Sequence, residues 1–225
     1  MQLYIGNKNY SSWSMRPWVL LRQFAIPFEE VMLRFADESQ FKQRALAISP
    51  TGRVPVLVDG DLVVWDTLAI AETLAEKFPQ LALWPKDAKA RARARSICAE
   101  MHSGFGALRS HCPMNIEASF PAIGAKLMAE HAAVQADLNR ITGMWQQALF
   151  ASGGPFLFGA FSIADAYFAP VVMRMRSYVL PVTADIAAYC ERVTSSAAVQ
   201  AWSHDALQEH DFVAHDEPYR TAPAR

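Results

Sequence analysis

Three serines fall within four residues at Ser11-Ser12-Trp13-Ser14, between a short apolar run ending at Gly6 and a helical pattern that starts near Met15. A serine at such a junction ordinarily caps the helix by accepting backbone N–H bonds. Three are more than one cap requires. A hydroxyl held at a helix N-terminus also lies where the dipole favours an anion, and a thiolate is an anion that suits the position. A free thiol has a pKa of about 8.5, so only a few per cent is ionised at neutral pH. Lowering that pKa by about two takes roughly 2.7 kcal/mol, within reach of a hydroxyl donor acting with a helix terminus. A second segment, Thr51-Gly52-Arg53-Val54-Pro55-Val56-Leu57, brings a proline into a strand, where its nitrogen has nothing to donate. A cis Val54-Pro55 bond would turn the Val54 backbone groups outward toward a ligand. The ordinary reading is a turn into an edge strand, and on this segment alone it stands. In a third segment, Trp65-Asp66-Thr67, Asp66 or Thr67 ordinarily caps the helix that follows. In a functional reading their carboxylate and hydroxyl face a ligand's ammonium and carboxylate.

The elements that must position these segments come in two styles. Up to residue 80, short strands and helices alternate. Strands are predicted over residues 2–5, 28–33, 55–58 and 62–65, the last two joined by the hairpin turn Asp59-Gly60-Asp61. Helices are predicted over 15–24, stopped by Pro27, over 41–48, closed by Ser49-Pro50-Thr51-Gly52, and over 67–78. The order is βαβαββα. Residues 81–86 read as a linker, and from 87 to 225 only helical patterns appear, over 88–110, 121–150, 162–178, 184–193 and 198–208. A small α/β unit over 1–80 therefore precedes an all-helical one over 87–225. The tail beyond His210 is polar and reads as irregular.

Composition narrows the function classes. Hydrophobic residues make up 52% and charged residues 19%, enough apolar material for a full core. A net charge of −1 gives no electrostatic footprint for nucleic acid or for an acidic membrane. No run of about 18 apolar residues offers a membrane span, and the N-terminus lacks the long apolar stretch of a secretory signal. Cys98, Cys112 and Cys190, odd in number and widely spaced, suit a reducing cytoplasm. The six histidines, among them His102, form no metal-ligand spacing, so no metal is expected.

Taken together, Ser11-Ser12, Val54-Pro55 and Asp66-Thr67 resemble, in that order, the thioredoxin-like domain of glutathione transferases. The resemblance extends over nearly the whole chain, because Phe158-Gly159-Ala160-Phe161-Ser162-Ile163-Ala164-Asp165 is similar to that family's helix-start motif in the second domain. Ser162 and Asp165 there have capping-box spacing, which makes Asp165 structural. The resemblance implies an α/β thioredoxin-like N-terminal domain plus an all-α C-terminal domain, the glutathione transferase architecture. It implies glutathione as cosubstrate and a catalytic serine, with Ser11 in the catalytic place and Ser12 one step behind. Ser14 falls inside the helix. Val54 and Pro55 would hold the cysteinyl backbone of glutathione, and Asp66 and Thr67 its γ-glutamyl end. Arg53, or Lys42 on the second helix, would meet its glycine carboxylate. The helix carrying Met101, His102, Phe105, Leu108 and Arg109 would line a hydrophobic substrate pocket. The serine segment is most similar to the zeta class pattern Ser-Ser-Cys-Ser-x-Arg, with Trp13 standing at the cysteine position. A cytoplasmic homodimer that detoxifies a small hydrophobic electrophile is the implied protein. A glutathione-dependent cis–trans isomerase of the maleylacetoacetate or maleylpyruvate type, and a ligand-binding member without turnover, stay open as alternatives.

Overall fold

The computed structural model describes residues 1–222; the last residues of the predicted helical region, 223–225, lie outside the described residues. Four strands, β1 (Gln2–Ile5), β2 (Glu29–Met32), β3 (Val56–Asp59) and β4 (Leu62–Trp65), form one sheet in the order β2-β1-β3-β4. β1 pairs parallel with β2 and antiparallel with β3, which pairs antiparallel with β4. The parallel pair needs a crossover, and α1 (Ser12–Gln23) supplies it. α2 (Glu38–Ile48) joins β2 to β3, and α3 (Thr67–Lys77) follows β4. The βαβαββα order is the one the sequence predicts.

Among the described residues seven helices follow: α4 (Ala88–Ser103), α5 (Gly106–His111), α6 (Pro121–Glu130), α7 (Ala132–Ser152), α8 (Ile163–Tyr178), α9 (Ala184–Thr194) and α10 (Ala197–Gln208). Two predicted helices are each divided in the structure. Residues 88–110 break at Gly104-Phe105, where Phe105 turns left-handed (φ 58°) to start α5. Residues 121–150 break at His131, whose non-helical backbone separates α6 from α7. α2 starts three residues earlier than predicted because Asp37 caps it, accepting from the Gln40 amide. Among the described residues beyond His210 the chain is mostly irregular, with one 3₁₀ turn at Ala214–Asp216.

α1 and α8 lie at the centre. Ser14 to Leu21 of α1 are all buried, as is every residue of α8 except Arg176. A helix buried all round belongs inside a large core, and α1 packs directly on α8. Ser162 caps α8, accepting from the Ala164 amide, while Asp165 accepts from the Ser162 amide at 2.9 Å, completing the capping box. Among the described residues no helix is long and apolar enough to cross a membrane, and no cluster of potential metal ligands occurs.

Candidate functional site

The N-terminus of α1 opens onto a cavity of about 700 Å³ lined by Ser11, Ser12 and Trp13 from α1 and its cap, Arg53 and Val54 from the turn before β3, Arg109 of α5 and Arg174 of α8. A second cavity of about 290 Å³ is lined by Pro55, Trp65, Asp66, Thr67 and His102, and it shares Trp13, Arg53, Val54 and Arg109 with the first. The three segments singled out by sequence therefore converge on one two-part cleft, with Trp13 at the partition.

The two neighbouring serines have different partners. Ser11 is the cap of α1; its hydroxyl accepts weakly from the Ser14 amide at 3.4 Å and donates to Ser14 Oγ at 2.7 Å. Ser14 lies inside the helix, fully buried, and its Oγ also accepts from the Gly6 amide at 3.1 Å. Ser12 is half-buried, and its Oγ accepts from Arg174 Nη2 at 3.0 Å. That bond leaves the Ser12 proton uncommitted among the described residues. Tyr10 also lines the larger cavity, but its hydroxyl donates to Glu217 at 2.8 Å and burial pushes its pKa up to about 12.

Three cations surround these hydroxyls. Arg174 is buried and held by the carbonyls of Cys112 and Arg109, and Arg109 lies over the Trp13 ring at 5.0 Å. Arg16, buried beneath the cleft, stacks between the Trp13 and Tyr167 rings, 4.1 Å from each centroid. Burial lowers the pKa of both Arg16 and Arg174 to about 10, so both remain cationic at neutral pH. A cluster of this kind raises the local potential and favours an anion at the α1 terminus.

In the smaller cavity the Val54-Pro55 peptide is cis, and Val54 faces both compartments. Asp66 has left-handed backbone (φ 75°), and its Oδ1 caps α3 by accepting from the Leu68 amide at 2.8 Å. The ordinary cap role is thus filled by one carboxylate oxygen. The other, Oδ2, lies 3.2 Å from His102 Nε2. His102 Nδ1 in turn meets the Tyr167 hydroxyl at 2.8 Å, which meets Thr67 Oγ1 at 2.6 Å. With Nε2–H donating to Asp66, Nδ1 is the acceptor, so Tyr167 donates to His102 and Thr67 donates to Tyr167. Arg53 is exposed at the shared rim. Lys42 is exposed and lines neither cavity; its Nζ lies against Gly52, 2.9 Å from where a Cβ would stand.

The helical-domain wall differs from the one the resemblance implies. Met101, Phe105 and Leu108 are buried in the core, while the polar members His102 and Arg109 reach the cleft. Arg174 and Tyr167 are not among the residues expected from the sequence, and His102 is expected there only as part of the pocket-lining helix. Arg174 carries a legible signal, as a charge within the apolar run Ala169-Pro170-Val171-Val172-Met173 and beyond. His102 and Tyr167 carry none, since their partnership spans 65 residues.

Comparison with known proteins gives a consistent result. Residues 10–77 match the glutathione S-transferase N-terminal domain. Glutathione S-transferase 1 of Dianthus caryophyllus is 37% identical over 92 residues, a match spanning 41% of this chain and 41% of that protein. Maleylpyruvate isomerase of a Ralstonia species is 27% identical over 191 residues, covering 78% of this chain and 85% of that one. Among solved structures, a glutathione transferase homolog from Burkholderia with bound glutathione superimposes with a TM-score of 0.69 at 24% identity, covering 92% of this chain and 98% of that chain.

Proposed function

From the premise that this chain belongs to the glutathione S-transferase family, we propose that it activates the thiol of glutathione for attack on a small electrophile. The observation that carries the reading is the two-part cleft. Val54, Pro55, Asp66 and Thr67 line one compartment, and Ser11 and Ser12 line the adjoining one across Trp13. Glutathione fits the smaller compartment, with its γ-glutamyl ammonium on Asp66 and its γ-glutamyl carboxylate at Thr67 and the start of α3, where the dipole favours an anion. The cysteinyl backbone meets Val54, and the glycine carboxylate meets Arg53, with Lys42 the more distant candidate.

The sulfur then reaches the α1 terminus beside the serines. Ser12 is the better placed donor, because Arg174 polarises its hydroxyl and its proton is free for the thiolate. Ser11 supports it as the cap. The thiol proton passes to solvent as the thiolate forms. The thiolate attacks the electrophilic carbon and a carbon–sulfur bond forms; either the leaving group departs with its electron pair, or the π pair of the attacked double bond moves to the neighbouring carbon, which takes up a proton from solvent. Proximity and the lowered thiol pKa are the protein's contributions.

Calorimetric titration with glutathione, followed by turnover of chlorodinitrobenzene, tests the reading. Binding with a thiolate absorbance that titrates well below the free thiol is the expected result; absence of binding sinks it. A second reading, glutathione-dependent isomerisation, is favoured by one observation: Arg109 and Arg174 take part in none of the arginine ion pairs among the described residues. Two such guanidiniums in the electrophile compartment suit a carboxylate-bearing substrate. Turnover of maleylpyruvate without net glutathione consumption distinguishes it from conjugation.

A further inference from the structure

The C-terminal segment from Asp205 to Arg220 runs back over the start of the chain, and carboxylates fasten it there. Asp205 accepts from Lys8 Nζ at 2.6 Å. Glu209 accepts from the Lys8 amide at 2.8 Å and from Asn7 Nδ2 at 3.2 Å. Asp211 accepts from Asn7 Nδ2 at 2.6 Å and pairs with Arg34. Glu217 accepts from the Tyr10 hydroxyl and from Asn115 Nδ2, each at 2.8 Å, and pairs with Arg220. Each of these four groups does structural work.

Asp216 is different. Its carboxylate accepts no hydrogen bond from the described residues, and its neighbour is the exposed His215 imidazole, with Nε2 at 3.4 Å. It lines the larger cavity together with Arg109, Arg174 and Ser12. The other ionisable groups on that lining, Glu38, Arg53 and His215, are exposed, and Glu38 and Arg53 are of opposite sign. The interior of the compartment thus holds two guanidiniums and one carboxylate.

We infer that Asp216 is a specificity-determining residue: with Arg109 and Arg174 it sets the compartment to accept an electrophile bearing one carboxylate and to disfavour one bearing two. The inference rests on the conjugation reading of the proposed function in taking this compartment as the electrophile's, and it runs against the isomerisation reading, because maleylpyruvate carries two carboxylates. The physical basis is charge matching. One bound carboxylate leaves the three groups and ligand neutral in sum, whereas a second places like charges together in a half-enclosed space, where screening by water is reduced. The residue rejects by repulsion, and the arginines supply the attraction.

The experiment needs no thiol chemistry. Nitrobenzoate and nitroisophthalate, aromatic acids with one and two carboxylates and no leaving group, are titrated by calorimetry into the full chain and into Asp216→Asn. The full chain is expected to prefer the monoacid, and Asp216→Asn to bind the diacid about tenfold more tightly while its affinity for the monoacid changes less than about threefold. A ratio between the two acids that is unchanged in Asp216→Asn overturns the inference, as does failure of either protein to bind either acid. Asp216→Ala serves as a second variant, and an unchanged melting temperature in either separates selectivity from folding. Glutathione titrated into the same samples tests the underlying reading independently: its failure to bind sinks the transferase reading without altering the acid ratio.

Discussion

At the scale of single residues, the proposed thiol activation turns on which hydroxyl has a proton to give. Ser11 and Ser12 are adjacent in sequence, yet one donates inward to Ser14 and the other accepts from Arg174. Removing a cap hydroxyl costs about 1 kcal/mol, which in a protein of this size lowers the melting temperature by roughly 2–4 °C. Ser11→Ala is therefore expected to melt lower and to keep much of its turnover. Ser12→Ala is expected to melt within about 1 °C of the parent, since half-buried Ser12 caps nothing, and to lose about 10²-fold in kcat/KM. Thermal denaturation beside steady-state kinetics checks both, and the opposite pattern would return the catalytic place to Ser11. The serine motif was legible in the sequence because a helix start concentrates its signal in a few neighbouring residues. The choice between the two was not, because Arg174 lies 162 positions from Ser12 and only folding brings it near. The bonds of His102 were hidden for the same reason: its partners are Asp66, the cap of α3, and Tyr167 of α8.

At the scale of elements, strands and capped helices were readable and helix breaks were not. The hairpin and the Ser162–Asp165 box announce themselves through local residue types, and both are present. The break at His131 falls at a residue that does not mark a turn, so the apolar periodicity runs on through it, whereas the break at Phe105 is flanked by Gly104 and Gly106, a turn signal that the apolar periodicity on either side outweighed. The capping box also makes a quantitative prediction. Asp165 is fully buried and accepts from the Leu157 amide at 3.1 Å, the Ser162 amide at 2.9 Å and the Tyr189 hydroxyl at 3.1 Å. Asp165→Ala leaves these three donors buried without a partner, at about 1–3 kcal/mol for each. Ser162→Ala removes the cap bond, at about 1 kcal/mol, together with the donation of its Oγ to Asp165 at 3.1 Å. Urea denaturation is expected to show Asp165→Ala losing at least twice the stability that Ser162→Ala loses, with glutathione affinity intact in whatever remains folded. Equal losses would mean that Asp165 does no more than cap α8.

At the scale of the whole molecule, the α/β and helical regions share one core. The buried side of α1 lies against α8, and the Trp18 ring meets Trp202 of α10 with centroids 5.3 Å apart. Trp202 Nε1 donates to the Lys8 carbonyl at 3.0 Å, and Lys8 Nζ, buried over both indoles, reaches Glu30 at 2.8 Å and Asp205 at 2.6 Å. A buried ammonium is tolerated only while it is paired, so Lys8 ties β2 and α10 to the loop that ends in Ser11. Splitting the chain between the two regions would expose the Trp18 face of α1 and strip Asp205 from Lys8. The expected behaviour is one cooperative unfolding transition, with tryptophan fluorescence and far-ultraviolet circular dichroism coinciding along a urea gradient. A fragment of residues 1–86 is expected not to fold alone, because its central helix would present a continuous apolar surface to water. Two separated transitions, or a cooperatively folded fragment, would show that the regions are stable independently. The serines would then owe their placement to the first region alone, rather than to a core built from both ends of the chain.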